Sequence, residues 1–419
     1  MGMKRKALLL LSLGLFFLVQ AGGICWPQTT ERVSVGPGGI EGNNASNAPS
    51  ISGNGRYVAF ESFATNLVAS DGNGFIDVFV HDLQTGATTR MSVDSLGNEG
   101  NRPSANSAIS ADGRYVAFES EADNLVAGDT AFPFGFTDIF VHDMQTRNTT
   151  RVSVDSGGGE GDGPSFNPSI SGDGGYVAFD SDADLVLPDI WGVYEIFVHE
   201  RQTGTTTRVS VDSAGTQGND HSYSPSISED GRYVAFESLS TNLVAGDGNG
   251  VIDIFVHDRN TATTTRVSVD SLGNEGNGDS NFPSISSDGR YVAFESDADN
   301  LIGVGNDTNG STDVFVHDRD ADGNGTYDEP GGVSTTRVSV DSAGLEGNGN
   351  SSASAISSDG RSVIFESDAD NLIGVGNDTN GSTDVFVDDR PGGNEETSGS
   401  SSSSNSGCFI ATAASDGGS

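Results

Sequence analysis

Lysine and cysteine are nearly missing from this sequence. Beyond Lys6 the only strongly basic residue type is arginine, and the 419-residue chain has a formal net charge of −40 at pH 7. A chain this acidic repels nucleic acids and anionic lipid surfaces, so neither is expected as a partner. The two cysteines, Cys25 and Cys408, lie outside the central part of the chain. We therefore expect the fold to be held by buried apolar surface, without disulfides in its core.

Long hydrophobic runs are missing too, apart from one near the N-terminus. A basic segment at residues 4–6 precedes an apolar run over residues 7–19 and the small residue Ala21. This order is typical of a secretory signal peptide, and the run is too short to span a membrane. We predict a signal peptide over residues 1–21, a short segment over 22–28, and secretion without a membrane span.

The sequence also lacks helical periodicity, and it instead repeats one unit made of short β-strand segments. Each copy contains Pro-Ser-Ile-Ser, Tyr-Val-Ala-Phe-Glu-Ser, Asp-Val-Phe-Val-His and Thr-Thr-Arg-Val-Ser-Val, or variants of them. The first residue of the second segment falls at Tyr57, Tyr115, Tyr176, Tyr233, Tyr291 and Ser362. Successive copies are 58, 61, 57, 58 and 71 residues apart, which indicates stacked supersecondary units.

Each repeat predicts four short antiparallel strands, which we call a to d in chain order. β-branched and aromatic residues dominate these segments, and Asp-Gly and Thr-Gly pairs favour tight turns between them. Four antiparallel strands per repeat is the plan of a propeller blade. The repeated region begins with a lone strand d at 29–35 and ends with a strand c at 384–390. We predict an all-β, six-bladed β-propeller over residues 29–390, closed by the N-terminal strand joining the last blade.

These repeats resemble the TolB-like, WD-type propeller repeats of bacterial secreted and envelope proteins. The resemblance covers residues 29–390 and rests on Ser-x-Asp-Gly-Arg-Tyr-Val-Ala-Phe, Asp-Val-Phe-Val-His-Asp and Thr-Thr-Arg-Val-Ser-Val. It implies a propeller fold and a location outside the bacterial cytoplasm, either secreted or in the periplasm and cell envelope. It implies little about function, because propellers include binding proteins, scaffolds and enzymes.

The composition of the chain changes after Arg390. Residues 391–406 are rich in serine, glycine and asparagine and predict a flexible linker. Residues 407–419 begin with Gly-Cys-Phe-Ile-Ala-Thr-Ala, which resembles the start of a short C-terminal box found in many bacterial secreted proteins. The usual continuation of that box is absent from this sequence.

An acidic loop in the fifth repeat is the sharpest motif. Residues 318–329 read Asp-Arg-Asp-Ala-Asp-Gly-Asn-Gly-Thr-Tyr-Asp-Glu, which fits the pattern of EF-hand calcium loops. Ca²⁺ binds roughly six to eight oxygen ligands, and such a loop supplies them on a short, sharply turned segment. The predicted ligands are Asp318, Asp320, Asp322, Asn324, Thr326 and Glu329. Because strands flank the loop, we predict a structural Ca²⁺ site in a c–d hairpin; the alternative is a solvated acidic loop.

Two further acidic patterns recur from blade to blade. The b–c loops carry Asp-x-Asn-Gly and a following Asp, as at Asp307 and Asp313, which predicts either capped turns or weak Ca²⁺ sites. The d–a loops carry Glu-Gly-Asn, as at Glu346, which predicts either an acidic ring near the channel mouth or glutamates that hydrogen-bond neighbouring blades. Histidine at the end of strand c and arginine in strand d also recur, and we interpret both as structural.

The departures from the repeat are mostly aromatic. Strand alternation places the b–c and d–a loops on one face of the propeller, where the second and third b–c loops carry aromatic residues. The predicted ligand-binding residues are Phe132, Phe134, Phe136, Trp191 and Tyr194. Phe166 and Tyr223, in nearby d–a loops, are expected to add two more rings to this face. Exposed rings of this kind favour binding of a protein or a glycan; the alternative is packing between loops.

Catalytic motifs are missing, since the sequence has neither Gly-x-Ser-x-Gly nor His-Glu-x-x-His. We therefore predict a non-catalytic, monomeric binding or scaffolding propeller, stabilised by Ca²⁺, whose ligand is a protein or a glycan. The alternative is a glycan-active enzyme, a polysaccharide lyase or hydrolase, that uses residues at the channel mouth. An enzyme would bring His221, Arg102 or an irregular acid together there.

Overall fold

A computed structural model describes residues 30–129, 136–190, 192–374 and 377–390. The chain divides into two compact units, Met1–Val33 and Ser34–Ser419. The described residues of the first unit, 30–33, form no strand or helix. The second unit contains all the strands of the described residues. Within the described part of the chain, no helix is long and apolar enough to cross a membrane.

The second unit opens with a short hairpin and continues with six antiparallel sheets, one for each repeat. The hairpin pairs β1 (Val35–Gly36) with β2 (Ile40–Glu41) across a 3-10 turn at Pro37–Gly39. Blades 1 to 3 consist of β3 (Ser46–Ile51), β4 (Tyr57–Ser62), β5 (Asp77–Asp82), β6 (Ala87–Arg90), β7 (Ser104–Ile109), β8 (Tyr115–Ser120), β9 (Asp138–Asp143), β10 (Thr149–Arg151), β11 (Ser165–Ile170), β12 (Tyr176–Ser181), β13 (Glu195–Glu200) and β14 (Thr205–Arg208).

Blades 4 to 6 follow the same order. They consist of β15 (Ser222–Ile227), β16 (Tyr233–Ser238), β17 (Asp253–Asp258), β18 (Thr263–Arg266), β19 (Ser280–Ile285), β20 (Tyr291–Ser296), β21 (Asp313–Asp318), β22 (Ser334–Arg337), β23 (Ser351–Ile356), β24 (Ser362–Ser367) and β25 (Asp384–Asp389). Strands pair with their neighbours in sequence in every sheet.

The described residues confirm an all-β, six-bladed propeller of four-stranded antiparallel blades. Five sheets contain strands a to d, and the sixth contains the three strands β23, β24 and β25. Among the described residues no strand pairs with the free edge of β25, so closure by the N-terminal strand stays a prediction. Val35 pairs instead with Glu41, as Val93 pairs with Glu99 after strand d of blade 1. The pairing within residues 35–41 is therefore the same as the pairing found in the loops that follow strand d in the other blades.

The hydrophobic core lies between neighbouring blades. Val78 and Val80 of blade 1, for example, form one buried cluster with Val116 and Phe118 of blade 2. Within each blade, a strand-b phenylalanine also packs on a strand-c phenylalanine, with ring centroids 5.7–6.1 Å apart. Such ring pairs contribute about 0.5–1.5 kcal/mol beyond the area they bury. The apolar strands b and c thus form the layer that holds the blades together.

A tyrosine at the start of strand b connects most blades to the next one. Tyr176 packs on Gly231 in the a–b turn of blade 4, where an added β-carbon would lie 2.2 Å from the ring. Gly231 also has a φ of 71°, which side-chain-bearing residues adopt at a cost. The same contact joins Tyr57, Tyr115, Tyr233 and Tyr291 to Gly113, Gly174, Gly289 and Gly360. Ser362 replaces the tyrosine in blade 6, so that blade lacks the ring that makes this contact.

Candidate functional site at the channel mouth

The innermost strand of each blade lines a central channel. Residues from all six inner strands surround a cavity of about 420 Å³. Each inner strand has an irregular register after its second residue, and its third residue has a left-handed backbone with φ between 45° and 53°. These third residues are Ala48, Asn106, Asn167, Ser224, Phe282 and Ala353. Such a β-bulge bends the strand and takes one N–H group out of the sheet ladder.

In blades 2 to 6, a carboxylate of the preceding blade accepts the hydrogen bond from the bulge N–H. The shortest of these bonds joins the Phe282 N–H to Glu237 Oε2 at 2.7 Å. At 3.0–3.3 Å the same bond joins Asn106 to Glu61, Asn167 to Glu119, Ser224 to Asp180 and Ala353 to Glu295. Burial raises the pKa of Asp180 to about 7. Sequence reasoning missed these acceptors, whose only signal was the acidic residue in each Phe-Glu-Ser or Phe-Asp-Ser segment.

Four rings meet at the rim of this channel, between blades 3 and 4. Phe166 and Tyr223 are the second residues of β11 and β15, Tyr194 ends the b–c loop of blade 3, and His221 ends the following d–a loop. The ring centroid of Tyr194 lies 6.2 Å from Phe166, 5.4 Å from Tyr223 and 5.9 Å from His221. All four residues are half-buried. We call them the aromatic site.

Main-chain hydrogen bonds fix the two loops that carry the aromatic site. The Tyr194 N–H donates to His221 Nδ1 at 3.0 Å, so this nitrogen accepts and a neutral ring has its proton on Nε2. The Ser222 N–H donates to the Tyr194 carbonyl at 2.8 Å, and the His221 N–H donates to Asp220 Oδ1 at 2.8 Å. The rings therefore stand on a bonded backbone, which limits how far they can separate.

Carboxylates surround the aromatic site. Burial raises the pKa of Tyr194, and Asp182 adds to the increase. Burial also raises the pKa of Tyr223. The carboxylates that add to the increase at Tyr223 belong to Asp180, Asp220, Glu237 and Asp182. Asp182 interacts with His221, and its Oδ1 is buried without a hydrogen-bond partner among the described residues. The site thus combines aromatic faces with a negative potential.

The structure brings part of the predicted aromatic surface to this site. Tyr194 belongs to it, and Phe136 is 42% exposed in the b–c loop of blade 2. The predicted residues Phe132, Phe134 and Trp191 lie outside the described residues. Arg102, which an enzyme would place beside His221, instead pairs with Asp123 of blade 2 at 3.9 Å. The sequence placed Phe166, His221 and Tyr223 in d–a loops on the same face as Tyr194. It did not predict that the four rings are in contact.

The predicted calcium loop forms an exposed turn in which its side chains bind one another. Asn324 Nδ2 donates to Asp322 Oδ2 at 2.9 Å and to Glu329 Oε2 at 3.0 Å. The Thr326 N–H donates to Asn324 Oδ1 at 2.7 Å. These oxygen-bearing side chains therefore lie together within one turn, as a Ca²⁺ loop requires.

The first two predicted ligands of that loop have other partners. Arg290 binds both carboxylate oxygens of Asp318, at 2.7 and 2.9 Å. Asp320 is buried and accepts a hydrogen bond from the Gly325 N–H at 3.1 Å. Ca²⁺ binding by all six predicted ligands would require Asp318 to share its oxygens with Arg290. The Ca²⁺ site stays a prediction.

Two acidic triads could hold a metal ion, at the same place in blades 2 and 5. They consist of Asp129, Asp138 and Glu160, and of Asp307, Asp313 and Glu346. Arg337 Nη1 lies 2.8 Å from Asp313 and 2.5 Å from Glu346, so a guanidinium already supplies positive charge in blade 5. Arg151 Nη1 lies 3.1–3.3 Å from all three carboxylates of blade 2. Burial raises the pKa of Asp129 and of Asp307 to about 6.

The repeated histidines lie at equivalent places in five blades. In each blade a histidine Nδ1 lies 2.8–2.9 Å from a threonine Oγ1 of strand d, as His317 does from Thr335. The five histidines belong to five different sheets, which separates them around the propeller. They contribute to the blades and not to the aromatic site.

Together, the fold and the site define a six-bladed β-propeller with an acidic, aromatic channel mouth. No protein-family model matches the sequence, and no curated protein matches it either. Among solved structures it is similar to TolB from Acinetobacter baumannii, with 17% identity over 70% of this chain and 54% of the TolB chain and a TM-score of 0.41. The chain thus spans about half of the length of that TolB chain.

Enzymes occur among the similar structures as well. An oligogalacturonate lyase in complex with manganese is 14% identical over 77% of this chain and 70% of its own, with a TM-score of 0.44. The acylaminoacyl peptidase of Pyrococcus horikoshii is 13% identical over 77% of this chain and 42% of its own, also with a TM-score of 0.44. These distant similarities concern the propeller fold and do not decide between a binding protein and an enzyme.

Proposed function

We propose that this chain is a secreted, non-catalytic binding or scaffolding protein whose ligand contacts the aromatic site. The observation that carries the proposal is the confinement of the site to one blade junction. At the positions of Phe166 and Tyr223, the other inner strands have Asn47, Ala105, Asn281 and Ser352. Since four other blades form with asparagine, alanine or serine there, the repeat does not require the rings. Aromatic residues at a channel mouth favour ligand binding.

The chemistry of the site suits either of the two expected ligand classes. Half-buried rings can stack on the faces of a sugar or pack on side chains of a protein. Polar groups beside them, such as the Asp220 carboxylate, can orient a ligand through hydrogen bonds. The ligand is therefore a protein or a glycan that reaches the face carrying the b–c and d–a loops.

Ring-deleting and ring-preserving variants test the proposal. The full chain, Tyr194→Leu/Tyr223→Leu and Tyr194→Phe/Tyr223→Phe are applied to arrays of purified glycans and of defined peptides. We expect a ligand whose affinity falls about tenfold in the leucine variant and is kept in the phenylalanine variant, because the ring faces make the contact. Phe75→Leu is a matched control, since Phe75 is 41% exposed in the b–c loop of blade 1. Absence of any ligand, or equal binding by all variants, would contradict the proposal.

A glycan-active enzyme is the second candidate function. The His221 ring lies 5.9 Å from the Tyr194 ring and 5.6 Å from the Tyr223 ring at the channel mouth, and imidazole and phenol groups can exchange protons with a substrate. Incubation of each bound glycan with the full chain distinguishes the two functions. New reducing ends or ultraviolet-absorbing unsaturated products, lost in His221→Ala, would overturn the non-catalytic assignment.

We also propose that Ca²⁺ is the ion that stabilises this protein, through the loop at 318–329. The support is that the Asp322 and Glu329 carboxylates lie within one turn, both bonded to the Asn324 amide nitrogen, because Ca²⁺ prefers oxygen ligands. The signal-peptide pattern supports export from a bacterial cytoplasm. N-terminal sequencing of exported protein tests this second point, with Gly22 as the expected first residue.

A further inference from the structure

Guanidinium groups cover most tyrosine rings of this chain. The sequence contains eight tyrosines. For six of them, an arginine Cζ lies 4.2–5.0 Å from the ring centroid. These six are Tyr57, Tyr115, Tyr176, Tyr233, Tyr291 and Tyr327. A cation over an aromatic face is attracted by the ring quadrupole, more strongly where water is partly excluded.

Tyr194 and Tyr223, the other two tyrosines, both belong to the aromatic site. Among the described residues, no arginine lies over either ring. Arg208, the strand-d arginine of the same blade, lies over the Phe197 ring at 5.8 Å. Its guanidinium is held there by Glu195 at 2.6 Å and Asp189 at 2.9 Å. The aromatic site therefore has two half-buried tyrosine rings without the guanidinium that lies over each of the other six tyrosines.

The carboxylates beside these rings also lack a counter-charge from arginine. Asp182 is half-buried; its Oδ1 lies against Gly163 and has no hydrogen-bond partner among the described residues, and Asp220 is exposed beside His221. At several of the covered tyrosines an aspartate binds the covering arginine directly, as Asp258 binds Arg232 over Tyr233. At the aromatic site the ring and the acid are present, and the guanidinium is not.

We propose that the aromatic site binds a guanidinium group presented by an arginine side chain of a partner protein. This inference rests on the proposed function and names the ligand class for the same site. The arginine stacks on Tyr194 or Tyr223 and pairs with Asp182, repeating the arrangement that the blades already contain. A neutral sugar would stack on the rings but leave the carboxylates uncompensated. The formal net charge of −40 also favours the approach of a basic partner.

A pair of matched small probes tests the charge requirement. The full chain is titrated with N-acetyl-arginine amide and with N-acetyl-citrulline amide, and binding is measured by saturation-transfer-difference NMR. The two probes have nearly the same shape, but citrulline is uncharged. We expect the arginine probe to bind at least about tenfold more tightly, because it combines a cation–π contact with an ion pair. Its binding weakens as sodium chloride is raised, since salt screens the partly exposed carboxylates.

Four variants locate the binding within the molecule. Tyr194→Leu/Tyr223→Leu and Asp182→Asn should each weaken the arginine probe severalfold, whereas Tyr194→Phe/Tyr223→Phe should keep its affinity. Asp297→Asn is the matched control, because Asp297 occupies in blade 5 the position that Asp182 occupies in blade 3. This control should bind the arginine probe as the unaltered chain does. Unchanged thermal midpoints show that the loss of binding is not a loss of folding.

The outcomes separate this inference from the proposed function. Equal affinity for the citrulline probe, or equal loss in the Asp297→Asn control, would overturn the guanidinium assignment. Triacetylchitotriose serves as a neutral probe. If it binds in a Tyr223-dependent way while the arginine probe does not bind, the inference is overturned but the aromatic site is kept as a binding site. Failure of both probes and of every array ligand would overturn both proposals.

Discussion

Arg290 and Asp318 form a two-pronged ion pair between the start of strand b and the end of strand c in blade 5. Arg290 Nε lies 2.7 Å from Asp318 Oδ1, and Nη2 lies 2.9 Å from Oδ2. The same pair recurs as Arg56–Asp82, Arg114–Asp143 and Arg232–Asp258. Because these blades have no acidic c–d loop, Asp318 has a structural role that does not depend on Ca²⁺.

The calcium prediction is best tested without altering Asp318. Asp322→Asn/Glu329→Gln changes two exposed side chains of the loop and leaves the ion pair with Arg290 intact. We expect chelation by EGTA to lower the thermal midpoint of the full chain by several degrees, because an ion bound only to the native state stabilises it by mass action. In the double variant most of this decrease should disappear.

An Asp318→Ala variant provides the contrast in the same calorimetric experiment. It should lower the midpoint even in EGTA, since it removes a charge-assisted pair with Arg290 that needs no Ca²⁺. If chelation lowers the midpoint equally in the unaltered chain and in Asp322→Asn/Glu329→Gln, Ca²⁺ binds elsewhere. If chelation has no effect on either protein, the calcium prediction is wrong.

Replacement of Gly231 by alanine should weaken the junction between blades 3 and 4. The added methyl group would lie 2.2 Å from the Tyr176 ring, and the backbone φ of 71° is unfavourable for alanine. We expect a decrease of about 2–4 kcal/mol in the free energy of unfolding, from overpacking and backbone strain together. Urea unfolding measures it. Gly248→Ala, at a site with nothing within 4 Å of the added carbon, should change it by less than about 0.5 kcal/mol.

Titration of the buried Asp180 carboxylate should contribute to the pH dependence of the free energy of unfolding. Burial raises the pKa of Asp180 to about 7 in the folded chain, so the folded state binds its proton more tightly than the unfolded state does. Protonation of Asp180 therefore stabilises the fold; the stabilisation is complete below about pH 4 and is lost as the pH rises through about 7. Asp180→Asn, whose amide oxygen can still accept the bonds from Asn167 and Ser224, should remove this dependence.

The buried histidines have the opposite effect on stability, because their protonation at lower pH destabilises the folded state. Burial lowers the pKa of His257 and of His317 to about 4, so the unfolded state takes up their protons first. Their contribution to stability is lost as the pH falls from about 6.5 to about 4. The difference in thermal midpoint between the full chain and Asp180→Asn isolates the carboxylate, because both proteins have the same histidines. A difference that does not change between pH 5 and pH 8 would contradict the assignment to Asp180.

Arg337 should be essential to the stability of blade 5. Its side chain is 6% exposed and lies against Asp313, which is fully buried, and against Glu346. Arg337→Met leaves these carboxylates unpaired and should cost about 3 kcal/mol in the free energy of unfolding. Arg361→Met, in an exposed pair at 3.9 Å from Asp359, should cost less than about 1 kcal/mol. Equal losses in the two variants would show that burial of the pair does not matter.

The Arg337→Met variant also tests whether the acidic triad of blade 5 accepts a metal ion. Without the guanidinium, Asp307, Asp313 and Glu346 offer three carboxylates to a cation. We expect added Ca²⁺ to raise the thermal midpoint of Arg337→Met more than that of the unaltered chain, as a cation replaces the missing charge. If Ca²⁺ raises both midpoints equally, the triad does not bind the ion.

Much of the fold could be predicted from the sequence because the same strand and turn pattern occurs in six copies. The alternation in Tyr-Val-Ala-Phe-Glu-Ser and Asp-Val-Phe-Val-His-Asp, with Asp-Gly turns, predicted strands b and c where they occur, for example at Tyr233–Ser238 and Asp253–Asp258. The pairing of the N-terminal strand with the last blade involves partners at the two ends of the repeated region, and it remains a prediction.

The candidate site could be predicted only in part. Tyr194 stands out in the sequence because an aromatic residue replaces the usual Ile or Thr before strand c. In the sequence, His221 is recognisable only as the histidine outside the repeated position. Nothing in the sequence shows that its Nδ1 accepts a hydrogen bond from the Tyr194 N–H. The role of Asp180 was not predicted, since its acceptor function depends on a bulge in the next blade.

The sequence by itself determined the number of blades, the order of strands within each blade and the acidic, lysine-poor character of the chain. Those properties depend on the alternation of apolar and polar residues, on turn residues and on composition, all of which can be read from short stretches of sequence. The tertiary structure alone decided which tyrosines have a guanidinium over the ring, which carboxylates accept a bulge N–H, and that Phe166, Tyr194, His221 and Tyr223 meet. These contacts join residues from different loops and blades, so their distances depend on how one twisted sheet packs on the next.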